Sequence, residues 1–151
     1  MKTTKVFLSL LLLIVVLIMN GCESPEVMSE VEGSYLTLKE HVEYGDIDLE
    51  VDSLNGEIIY SFEPADNQYS FDYNLRLQEG DFKLEVITGG EKVDEVPWMR
   101  DDEKELNEKH DDGHYRIHGY GGVFRINEVK ERVYFFLHGR DSATGMLEIT
   151  W

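Results

Sequence analysis

Residues 46–62 read DIDLEVDSLNGEIIYSF. Ile47, Leu49 and Val51 alternate with Asp46, Asp48, Glu50 and Asp52, and period two is the mark of a strand that turns one face to a core and the other to water. Asn55 and Gly56 follow. Both tolerate the positive φ of a tight reversal, so EIIYSF is expected to return as the second strand of a hairpin. The same alternation recurs outward in both directions. SYLTLKE precedes it, and YSFDYNLRL follows with Phe71, Tyr73, Leu75 and Leu77 on one side. Glu79 and Gly80 then lead into GDFKLEVIT, which is expected to close a further hairpin. HYRIH, VFRIN, RVYFFLH and GMLEITW complete about nine short strands without sustained helical periodicity, the pattern of an antiparallel β-sandwich or small barrel. Short hairpins and a mid-chain insertion favour the sandwich.

The insertion begins where alternation fails, beyond Pro97. WMRDDEKELNEKHDDG has few apolar residues and supports at most a short surface helix ended by Gly113. The expected class is therefore all-β, an antiparallel sandwich over residues 34–151 with one charged insertion.

The N-terminus obeys different rules. Lys2 and Lys5 precede the apolar run Val6 to Met19, interrupted only by Ser9. As a helix this run would be about 21 Å long, short of the roughly 30 Å hydrocarbon core. A cleaved export signal over residues 1–21 fits better than a permanent span. Met19, Asn20, Gly21 and Cys22 resemble the lipobox of bacterial lipoproteins, matching at Gly21 and Cys22 and departing from the usual Leu followed by Ala, Ser or Thr at Met19 and Asn20. The resemblance implies cleavage before Cys22 and a diacylglycerol on its sulfur. It further implies a lipid-anchored domain on the extracytoplasmic face of the membrane. Cys22 is the sole cysteine, so the exported domain has no internal disulfide and relies on its core. ESPEVMSEVEG, from Glu23 to Gly33, reads as an acidic tether, so residues 22–33 are expected to link lipid to domain with a mean span of roughly 17 to 20 Å. From residue 69 to the closing SATGMLEITW the chain is similar to small β-sandwich domains found in some bacterial lipoproteins. That likeness implies a fold and no site residues.

Removal of residues 1–21 leaves twelve basic against 31 acidic residues, a net charge of −19. Such a surface repels phosphate backbones and anionic headgroups. Nucleic acid is excluded as a partner, membrane contact falls to the lipid, and an envelope protein or wall polymer is the expected ligand class.

Three clusters invite chemistry. Asp46, Asp48, Glu50 and Asp52 share a strand face and suggest Ca²⁺. Side chains two apart on a strand lie roughly 6.6 Å apart, however, whereas calcium gathers six to eight oxygens at about 2.3 to 2.6 Å, so other loops would have to contribute. His110, His114 and His118 recur at every fourth position, but HDDGH carries Gly113 where a zinc-binding HExxH pair needs helix. Tyr134 and Phe136 alternate with Val133, Phe135 and Leu137, making RVYFFL apolar on both faces. One face must meet the core, and the other needs a cover, a partner or a stacked sugar. Trp98, at the head of the insertion, is either its packing anchor or part of that patch, while Trp151 closes the final strand.

No G-x-S-x-G elbow or glycine-rich phosphate loop is present. The expectation is a tethered, non-catalytic binding or interaction module at the cell envelope. Its alternatives are a carbohydrate- or calcium-dependent wall-associated module and a hydrolase using two carboxylates.

Overall fold

The computed structural model describes residues 24–100, 118–129 and 131–151. The signal segment, Cys22, His110 and His114 lie outside the described residues. Seven strands follow in order: β1 (Val27–Ser34), β2 (Thr37–Glu43), β3 (Asp46–Phe62), β4 (Tyr69–Thr88), β5 (Glu91–Arg100), β6 (His118–Ile126) and β7 (Val133–Thr150). All pairings are antiparallel. Strands β3, β4 and β7 are long, and each bends midway to pass from one layer to the other. Sheet I is ordered β2-β3-β7-β4-β6 and uses the first parts of β3 and β4 with the last part of β7. Sheet II is ordered β1-β3-β7-β4-β5 and uses the remaining parts. The result is an antiparallel β-sandwich made by folding one sheet over itself.

Two expected hairpins are thereby corrected, and with them the strand count, about nine short strands becoming seven among the described residues. Asn55-Gly56 and Glu79-Gly80 are corners within continuous strands, not reversals. Pairing slips between Val51 and Leu54 and between Leu54 and Gly56 in β3, and between Leu77 and Asp81 in β4. Ser53, Gly56, Gly80, Asp141 and Ser142 all have positive φ. An extra residue in the left-handed region re-aims a strand, and each corner uses that device. Side-chain bonds brace the corners: Ser53 N–H donates to Thr144 Oγ1 at 3.0 Å, and Thr144 Oγ1 donates to Asp52 Oδ1 at 3.0 Å. At Gly145 a Cβ would strike the Arg76 carbonyl of the neighbouring strand in sheet I and come within 2.6 Å of the Phe82 ring of sheet II.

The bends also reverse the phase of burial. Ile47, Leu49 and Val51 face inward before the corner, and Ile58, Tyr60 and Phe62 after it. Between the layers, the Phe71 and Phe135 rings meet edge-on at 5.0 Å and Phe62 stacks on Trp151 at 4.9 Å. Tyr69 ties the far end shut: its hydroxyl accepts the Ala65 and Asp66 N–H groups at 2.8 and 3.1 Å and lies 2.7 Å from that of Tyr44. Burial, together with this bond to Tyr69, pushes the Tyr44 hydroxyl up to about 12.

Two boundaries also differ from expectation. The second part of the expected tether is β1, whose Val27 and Val31 pack against the core while Val27–Ser34 pair with β3. Valines four apart among acids give too faint an alternation to read as a strand. Trp98, Met99 and Arg100 are expected to open the insertion, yet they end β5, in which Val96 and Met99 are buried and Pro97 is exposed on a sheet edge, a position that tolerates a missing N–H.

Candidate functional site

The outer face of sheet II is built around the middle strand, β7. Val133, Phe135 and Leu137 point into the core, so alternation sends Tyr134, Phe136 and His138 outward. Their rings form a regular row. Tyr134 and Phe136 lie 6.0 Å apart at 27°, and Phe136 and His138 lie 6.0 Å apart at 12°. Register then supplies the flanks: Ser61, Ile59 and Glu57 of β3 on one side, and Ile87, Glu85 and Lys83 of β4 on the other. Trp98 of β5 joins at the corner end, its ring 6.3 Å from His138 and capped by the Arg140 guanidinium at 4.1 Å, within the range of a cation–π contact. The three residues expected to form an aromatic patch, Trp98, Tyr134 and Phe136, thus share one face. Tyr134, Phe136 and Trp98 are half-buried, and among the described residues no strand packs over them.

The polar groups of this face are fixed by one another. His138 Nε2 lies 2.8 Å from Glu85 and Nδ1 3.6 Å from Glu57. Lys83 reaches Glu85 at 2.7 Å and Glu95 at 3.3 Å, Lys92 reaches Glu95 at 2.6 Å, and Arg140 donates to Asp81 at 2.7 Å. Burial pushes the Glu85 carboxyl up, but the Lys83 ammonium and the His138 ring outweigh it and hold the group at about 2. Hydrogen bonding to Glu85 correspondingly raises Lys83. Four of the eight described Lys and Arg residues, Lys83, Lys92, Arg132 and Arg140, stand on this face, each in an ion pair. With Glu30, Glu32, Glu57, Glu63, Asp81, Glu85 and Glu95 on the same face, it is still acidic but less so than the rest of the domain. Glu57, Glu85 and Lys83 escape a sequence reading because they reach the row only through strand register. His138 has a visible signal, as the third alternate residue after Tyr134.

The acidic row lies on the opposite side, on the outer face of sheet I. Asp46 and Asp48 line a shallow hollow of about 360 Å³ with Asp72, Asn74, Glu148 and Thr150. Glu50 is paired with Lys39 at 3.0 Å, and Asp52 accepts the Ser53 and Thr144 hydroxyls at 2.9 and 3.0 Å. Among the described residues no group of three or more His, Cys, Asp or Glu side chains is arranged to hold a metal ion. His118 opens β6. Trp151 closes β7, its backbone N–H donating to the Gly45 carbonyl at 3.1 Å.

Neither a family model nor a curated protein matches the chain. Among solved structures it is similar to a CBM4 structure, at 6% identity and a TM-score of 0.37 over 87% of this chain and 77% of that one. It is also similar to the CBM36-1 domain of a multidomain xylanase from the hindgut metagenome of Trinervitermes trinervoides, at 13% identity and a TM-score of 0.39 over 85% and 98%. The C-terminal CBM6 of a marine laminarinase from Zobellia galactanivorans matches at 12% identity and a TM-score of 0.34 over 83% and 100%. At TM-scores of 0.34 to 0.39 these likenesses carry no argument about what this chain binds.

Proposed function

We propose that this chain is a non-catalytic binding module that holds a neutral, hydroxyl-rich wall polymer against the outer face of sheet II, and that a lipid on Cys22 keeps it at the extracytoplasmic membrane surface. The observation that carries the reading is the row Tyr134, Phe136 and His138, with rings about 6.0 Å apart on the middle strand of an open face. Ring faces attract the C–H faces of sugars, while flanking groups already oriented by ion pairs can meet hydroxyls with little further ordering. Basic side chains on this side reduce the repulsion that the acidic surface imposes elsewhere, without demanding a charged ligand.

Because pairing begins at Val27, the interval from Cys22 to the first strand spans at most about 17 Å when stretched. In the lipidated state the domain therefore rests close to the headgroups, where wall polymer is anchored or passes.

An array of solubilised cell-envelope polysaccharides tests the binding face with the full-length chain. Wild type is expected to bind at least one neutral glycan, and Phe136→Ala to lower its affinity about five- to tenfold while the circular dichroism stays unchanged. Equal binding by Phe136→Ala, or no glycan bound at all, would remove the reading. Intact-mass measurement on native material tests the anchor: residue 1 retained and an unmodified Cys22 thiol would exclude it.

A further inference from the structure

We propose that the free edge of β6 is a second binding site, which accepts an extended, basic peptide segment as an added strand. It is independent of the ring row, since it lies at the edge of sheet I. Among the described residues the sandwich has four edge strands, β1, β2, β5 and β6. Edge strands normally carry devices that stop other chains from pairing, such as charges, proline or bulges. β1 carries Glu30 and Glu32, and β2 carries Lys39, Glu40 and Glu43. β5 carries Lys92, Asp94 and Pro97, and its pairing with β4 is broken by two register shifts. β6 is guarded only near its end, by Arg125. From Gly119 to Phe124 it holds no Asp, Glu, Lys, Arg or Pro, and its register with β4 runs without a shift. Tyr120 and Val123 are 47% and 42% exposed. Among the described residues nothing pairs with its outer side.

The chemistry of the occupant follows from what lies inside that edge. Val123 sits opposite Asp72, and Gly121 opposite Asn74; Asp72 and Asn74 line the acidic hollow with Asp46, Asp48, Glu148 and Thr150. Gly121 is not required by the fold: its φ is not positive, and a Cβ there would meet only the Tyr73 carbonyl, at 3.5 Å. Its effect is to leave the hollow open at the edge. A strand added about 4.8 Å beyond β6 can lay an outward lysine or arginine stem across Gly121 with the charge over Asp72 and Asn74. Backbone hydrogen bonds supply affinity, and the alternate basic side chains supply selectivity. A second copy of the chain fits less well, because two domains of such negative charge would meet along their acidic sides.

The test titrates the full-length chain with an acetylated and amidated peptide of alternating valine and lysine, and with its valine–glutamate counterpart, while amide hydrogen exchange is followed. The valine–lysine peptide should bind saturably and slow exchange between residues 119 and 125, and the glutamate peptide should do neither. Val123→Lys should abolish the saturable protection, and Asp72→Asn should weaken binding about fivefold, with both variants folded by circular dichroism. Equal affinity for the two peptides overturns the proposal. So does strong protection of the edge amides before any peptide is added, which would mean that the chain covers its own edge. A dimer in sedimentation that Val123→Lys converts to monomer would identify a second copy as the occupant and equally overturn it.

Discussion

The Arg140 guanidinium lies 4.1 Å above the Trp98 ring while its Nε donates to Asp81 at 2.7 Å. One side chain thereby fastens β5 to β4 and holds a tryptophan at the end of the ring row. Asp81 is 7% exposed, so its carboxylate depends on this partner. Arg140→Ala is expected to lower stability by about 1–3 kcal/mol and to shift Trp98 emission to the red. Adding Asp81→Asn should recover part of the stability in a double-mutant cycle. A cycle with no coupling would mean that the pair contributes nothing.

At the corner of β7, Gly145→Ala should destabilise the fold by about 1–3 kcal/mol, because the new methyl meets the Arg76 carbonyl and the Phe82 ring. The comparison substitution Gly90→Ala, where a Cβ meets nothing within 4 Å but φ is +72°, isolates backbone strain from collision. Urea midpoints of both variants separate the two effects. If Gly145→Ala costs no more than Gly90→Ala, the Arg76 carbonyl and the Phe82 ring do not crowd this position.

Tyr69→Phe removes the acceptor of two backbone N–H groups and the partner of the Tyr44 hydroxyl. A loss of about 1–3 kcal/mol is expected from groups left unpaired in a half-buried site. The Tyr44 hydroxyl, now held at about 12, should then titrate nearer its ordinary value, which ultraviolet absorbance at alkaline pH would record.

Glu85 couples the outer face of sheet II to pH. Its folded-state value of about 2 lies below the ordinary 4.5, so its contribution to stability is present above about pH 4.5 and lost as pH falls toward 2. Wild type should therefore lose stability through this window faster than Glu85→Gln does, as read from thermal midpoints across acidic buffers. Parallel curves would show that Lys83 and His138 do not hold the carboxylate.

Much of the core is legible in alternation alone. Ile47, Leu49, Val51, Phe71, Leu75 and Leu77 face inward as the spacing of DIDLEVD and YSFDYNLRL predicts. The corners are not legible, because Asn55-Gly56 and Glu79-Gly80 offer the same positive φ to a reversal and to a bulge. Only the closing of sheet I over sheet II selects the bulge. β1 and β5 are hidden for another reason: edge strands bury little and carry charges that mask their period. Within the site, Tyr134 and Phe136 can be read from one strand. The Glu57–His138–Glu85 grouping cannot, since its members lie 81 and 53 residues apart from His138 and meet only through register.

The most direct test of the account follows backbone and side-chain NMR shifts of the full-length chain while a neutral wall polysaccharide is added. The account predicts that perturbations concentrate on Trp98, Tyr134, Phe136 and His138 and their β3 and β4 neighbours, and that Phe136→Ala moves their midpoint to about five- to tenfold higher polymer concentration. Perturbations confined to the acidic hollow of sheet I, or none anywhere at saturating polymer, would contradict it.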